Sequence, residues 1–103
     1  MVNQFPKEEL FGLTSQLKRS ASSIGDNISE GSARLTAKDR AHFLVISYSS
    51  AIETVNHLIG ALDLNDIKET EYLPLRARLE EITDKINSLH KAQFRQSTPQ
   101  LTK

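Results

Sequence analysis

The stretch from Ala41 to Leu62 restricts the fold of this chain more than any other. Leu44, Tyr48, Ala51, Val55, Leu58 and Leu62 follow one another at three- and four-residue spacing, and Ala41, Val45, Ile52 and Ile59 form a second row beside them. Both rows have the period of an α-helix. A helix that is apolar over so wide an arc has to contact more than one neighbour. Ser47, Ser49, Ser50 and Ala51 are small, which lets another helix approach closely at that level. Thr36 and Asp39 stand ahead of the rows at capping-box spacing, although the box prefers Glu or Gln at its second position.

A neighbour is predicted on each side. Leu10, Leu13, Leu17, Ala21, Ile24 and Ile28 form one helical stripe, which predicts a first helix from about Pro6 to Glu30. Pro6 suits its first turn, and Glu8 and Glu9 sit where the helix dipole favours acids. Gly31 is predicted to be its left-handed C-terminal cap. The segment SSIGDNISEGSAR, residues 22–34, resembles a ligand loop in composition, but Ile24 and Ile28 carry the stripe through it. Gly25 then costs about 1 kcal/mol relative to alanine, which a well-packed helix can absorb.

Asp63 to Thr70 reads as a polar connection with Asn65, Asp66 and Thr70 as candidate caps. Beyond it, Tyr72, Leu75, Leu79, Ile82, Ile86 and Leu89 predict a third helix. Pro74 requires that its regular part begin near Tyr72 or that it kink there. The expected fold is all-α: an up-down antiparallel helical bundle of three long helices, completed by oligomerisation. One domain over 1–96 and a flexible tail over 97–103 are predicted. A chain of 103 residues buries only about 60–70% of its extended surface, so an oligomer would relieve a thin core.

Thirteen Lys and Arg balance thirteen Asp and Glu, so no overall field draws the molecule to nucleic acid or membrane. After Asp84 the formal charges, at Lys85, Lys91, Arg95 and Lys103, are all positive, which suits a helix C-terminus. The absence of cysteine excludes disulfide and thiolate chemistry and fits a reducing compartment. With no signal-like N-terminus and no apolar run long enough to span a bilayer, a cytoplasmic location without membrane attachment is expected. Asn27-Ile28-Ser29 is then a chance match to a glycosylation sequon.

The motifs of chemistry are missing. His42, His57 and His90 have no paired-ligand spacing, so no metal or other cofactor is expected. A calcium loop starting at Asp26 fails at Ile28 and Ala37, and neither a phosphate loop nor a serine elbow is present. Glu53 is expected to make a structural contact with a cation such as Arg19 or Arg34, and no enzymatic activity is expected. Lys18, Arg19, Arg34, Lys38 and Arg40 collect toward the first turn and are the candidate nucleic-acid contacts. Asp26, Glu30 and Asp39 dilute them, and no aromatic residues interleave for base stacking.

FPKEELFGLTSQLKRSASSIGDNISEGSAR (5–34) and HFLVISYSSAIETVNHLIGA (42–61) together resemble the bacterial four-helix-bundle family of 23S rRNA intervening-sequence proteins, also described as ribosomal-protein-like. The family pattern is matched at Asn27, Glu30, Gly31 and Glu53, which the resemblance implies make structural contacts. It is altered at Gly25 and Asp26, where the family usually has Pro and Ala or Ser. The family is similar to the accessory protein of diversity-generating retroelements, a pentameric helical barrel that binds nucleic acid and a reverse transcriptase. A ring-shaped homo-oligomer with an RNA, DNA or protein partner is therefore implied. Family members usually carry a further helix before FPKEE. The expectation is that either the start used here is late or this member has three helices, with subunits covering both rows of the middle one.

Overall fold

A computed structural model describes residues 7–97, with side chains for 15–93 and Arg95. The described residues form α1 (Lys7–Ser32), α2 (Ala37–Asp63) and α3 (Glu69–Ser97), with no strand among them. The expectations for Pro6 and for the tail lie outside this span, apart from Ser97, which ends α3.

Helix boundaries follow from local hydrogen bonding. The Thr36 hydroxyl accepts from the Asp39 amide at 3.1 Å, capping α2. At its other end Asn65 has φ 63°, with its amide donating to Leu62 and that of Asp66 to Ala61. That pair of bonds is a Schellman cap, and Asn is the residue besides glycine that most readily takes the left-handed conformation. The α3 start has the complementary half of a capping box, with Glu71 Oε1 accepting from the Lys68 amide at 2.8 Å.

Two expectations are corrected. Gly31 is not a left-handed cap: no described glycine has positive φ, and α1 runs on to Ser32. Gly31 is buried instead, and a Cβ there would come within 2.8 Å of Phe43 Cβ. Its role is to let α2 come close. Of the two outcomes expected at Pro74, a start near Tyr72 gives way to one at Glu69, so that Pro74 stands inside α3. As the sixth residue of the helix it removes one hydrogen bond, the one to Thr70 carbonyl in the exposed first turn.

The topology is up and down. Ser20 pairs with Thr54, Ser23 with Ser50, and Ile24 carbonyl with Ser47, so numbers fall along α1 as they rise along α2. Likewise Arg40 reaches Gln93 on α3, and Leu44 and Tyr48 lie level with Ile86 and His90. Helices α1 and α3 each pack on α2, and among the described residues their backbones do not meet. The core joins Ile24, Leu44, Ala51, Leu58, Leu79 and Ile86, flanked by Leu17, Ile28, Val55, Ile67, Tyr72 and Ile82.

On α2 the buried row is Leu44, Ser47, Ala51, Thr54, Leu58 and Ala61, with Ser50 beside it. Tyr48, expected inside with Leu44, is pushed to the outer row, because hydroxyl residues take the arc toward α1. The hydroxyls face α1, and Leu44 and Ala51 lie on average about 75° further round at 100° per residue. Neighbours placed this way leave the corner opposite α2 open.

Candidate interaction surfaces

The turn between α1 and α2 concentrates polar contacts. Arg34 pairs with Glu30 one turn back, and its guanidinium lies 4.7 Å from the centre of the Phe43 ring. Arg40 donates from Nη1 to the carbonyls of Arg34 and Leu35, both at 3.1 Å, and from Nε to Gln93 Oε1 at 2.8 Å. One side chain thus closes the turn and ties α3 to it.

These contacts break up the candidate nucleic-acid patch. Arg40 is half-buried and engaged within the fold; Arg34 is exposed and pairs with Glu30 at the surface, and Lys18, Arg19 and Lys38 are exposed as well. Lys18 lies sixteen residues before Arg34, about 24 Å along the helix. The five cations do not form one surface.

The α1–α2 seam is polar and closely bonded. Ser47 is fully buried and donates to Ile24 carbonyl at 2.8 Å, and the Thr54 hydroxyl donates to Ser50 carbonyl and lies 2.8 Å from Ser20 Oγ. Asn27 Nδ2 donates to Ser23 carbonyl at 2.8 Å and to its hydroxyl at 3.0 Å, and Ser23 reaches Ser50 across the seam at 2.8 Å. Asn27 therefore acts on α2 through Ser23, while Asp26 beside it is exposed. Sequence reading missed this network. Its signal is Ser20, Ser23 and Asn27 on α1 facing Ser47, Ser50 and Thr54 on α2, both at three-four spacing but outside an apolar pattern.

Below the seam Gln16, Arg19, Ser20, Ser23, Glu53 and His57 surround a shallow polar cleft of about 240 Å³. The Glu53 side chain is 62% exposed, and His57 Nε2 lies 3.8 Å from its carboxylate. The expected pairing with Arg34 is not formed: Glu53 stands level with Ser20 and Ser23, whereas Arg34 lies beyond the end of α1, eleven residues past Ser23 and so about 16 Å along the helix direction, where it pairs with Glu30. No group of three or more His, Asp or Glu suited to a metal occurs among the described residues.

Apolar surface stands open in two places. Along α2, Val45 is 50%, Tyr48 36% and Ile52 42% exposed. On α3, Leu75 and Leu89 are nearly half exposed, and Leu89 joins Ile28, Gly31, Leu44 and Gln93 around the groove between α1 and α3. No described helix is long and apolar enough to cross a membrane.

A family model described as 23S rRNA-intervening sequence protein matches residues 1–88. The chain belongs to this family. For this 23S rRNA-intervening sequence protein the match takes in α1, α2 and α3 as far as Ser88, including Asn27, Glu30, Gly31, Glu53 and all five candidate cations. Leu89 and Gln93, which shape the α1–α3 groove, lie beyond the matched residues. A search of curated proteins found no match.

Proposed function

We propose that this family member is a non-enzymatic, cytoplasmic helical scaffold that assembles with copies of itself and offers the assembled surface to a nucleic acid or protein partner. The observation that carries the reading is the uncovered apolar surface of a small fold. Val45, Tyr48 and Ile52 line one helix, Leu89 flanks the open groove between α1 and α3, and Leu75 is nearly half exposed elsewhere on α3. Exposed apolar groups aligned in this way mark association surfaces. The ring implied by the retroelement resemblance, with five members, would give each copy two neighbours, as a double-rowed α2 requires.

Direct recognition of phosphates receives less support, since Arg40 is engaged inside the fold, Arg34 is paired with Glu30 at the surface, and the other three candidate cations are spread. The test is the mass in solution by light scattering at micromolar concentration. A multiple of 11.6 kDa is expected, fivefold for the ring. A particle of 11.6 kDa overturns the reading.

A further inference from the structure

The polar cleft on the α1–α2 seam has walls of opposite charge. Arg19 stands on the α1 wall and Glu53 on the α2 wall, with Gln16 and His57 toward one end and the hydroxyls of Ser20 and Ser23 between. From Gln16 to Ser23 the cleft runs about 10 Å along α1 at 1.5 Å per residue, and α3 lines no part of it. The floor is set before any ligand arrives. Ser20 is 5% exposed, and its one proton stays in the seam, with Leu17 carbonyl at 3.2 Å and the Thr54 oxygen at 2.8 Å, so a lone pair is left for the cleft. Ser23 is held by Asn27 Nδ2 at 3.0 Å and Ser50 Oγ at 2.8 Å. The walls are uncommitted. Arg19 is exposed and makes no hydrogen bond or ion pair among the described residues, so this other cation expected beside Glu53 shares the cleft without closing on it. His57 Nε2, at 3.8 Å from the Glu53 carboxylate, is beyond hydrogen-bond reach of it.

We propose that this cleft binds a neutral polar α-amino acid as its zwitterion. The ligand carboxylate lies on the Arg19 guanidinium, the ammonium between Glu53 and the Ser20 hydroxyl, and the side chain toward Gln16 and His57. Charge selects the class. A simple anion drawn to Arg19 is repelled by Glu53, and a simple cation drawn to Glu53 is repelled by Arg19. A zwitterion satisfies both walls and adds no net charge. Its ammonium has three protons to donate, for which Glu53 and Ser20 supply acceptors, and its carboxylate matches the planar fork of an arginine. Size agrees, since about 240 Å³ falls below the range of drug-sized sites, about 300–1,000 Å³, and suits a smaller molecule. The cleft is apart from the exposed apolar row of α2, so the proposal stands whether or not the chain self-assembles.

The test titrates isotope-labelled wild type with L-glutamine and L-serine and follows the amide resonances of Arg19, Ser20, Glu53 and His57 by NMR. Saturable shifts are expected, with a dissociation constant of about 1 mM for so open a site. N-acetyl-L-glutamine, which lacks the ammonium, and L-glutamine α-amide, which lacks the carboxylate, are each expected to bind at least about tenfold more weakly. Arg19→Gln and Glu53→Gln change exposed side chains, so both are expected to keep the wild-type circular dichroism and to lose about tenfold in affinity for L-glutamine. The absence of saturable shifts with both amino acids overturns the proposal. So does equal binding of either single-charge analogue, a comparison made on the wild type that needs no variant to fold. Unchanged affinity in a folded Arg19→Gln or Glu53→Gln places the ligand elsewhere and overturns it as well.

Discussion

Gly25 and Gly31 lie within two turns of each other on α1, and alanine is expected to act oppositely at the two. Gly25 is exposed, with nothing within 4 Å of where a Cβ would stand, so Gly25→Ala recovers helix propensity. A gain of about 0.5–1 kcal/mol is expected, read as a higher melting midpoint. At Gly31 the added carbon meets Phe43 Cβ at 2.8 Å, too near the backbone to move cheaply. Gly31→Ala is expected to lose about 1–2 kcal/mol net, the overpacking cost exceeding the propensity gain. Equal effects at both sites would contradict the close-approach role. The sequence places Gly25 inside the helix and marks Gly31 as its cap, and it does not show the close approach at Gly31, because that contact is made by a residue twelve positions away. Apolar positions such as Ile24 and Ile28 are legible without such knowledge, since one period places them. Thr54 belongs with Gly31: Thr54→Val keeps its shape and removes its bond to Ser50 carbonyl and its contact with Ser20. A loss of about 1–2 kcal/mol in denaturant unfolding is expected.

At the level of elements, caps and stripes were the readable part. Thr36 caps α2, and Asn65, one of three candidate caps in the second connection, takes the left-handed position that closes it. Asn65→Gly is therefore expected to leave the midpoint unchanged or raised, and Asn65→Ala to lower stability by about 1 kcal/mol. Comparable losses from both would mean that the side chain and not the backbone conformation decides the cap. What proved illegible was the chemistry between helices. The α1–α2 seam is held by Ser20, Ser23, Ser47, Ser50 and Thr54, which a search for apolar periodicity passes over. Hydroxyls bonded across a seam fix the register of two helices as well as their distance, since a slip of one turn would bury several unpaired groups. Pro74 was legible as an exception but not in its outcome. An exposed first turn tolerates the loss of one hydrogen bond, and no pattern in the residues states how far the helix extends ahead of it.

The whole molecule is an α2 with neighbours on two sides and an unfilled seam on a third. The need for more than one neighbour can be read directly from the double apolar row. Which row is filled from within the chain cannot, because the choice depends on side chains of α1 and α3 and on hydroxyls competing for the inner arc. The candidate cations show the same limit: closeness in sequence grouped Lys18, Arg19, Arg34, Lys38 and Arg40, and one helix length together with the Arg40 contacts separated them. If the fold is completed between copies, its stability has to depend on concentration, since association favours the folded chain by mass action. The most direct measurement is the thermal midpoint of the unmodified protein over a hundredfold range of concentration. A rise of about 5 °C per tenfold is predicted, and a midpoint that stays constant across the range contradicts completion by self-assembly.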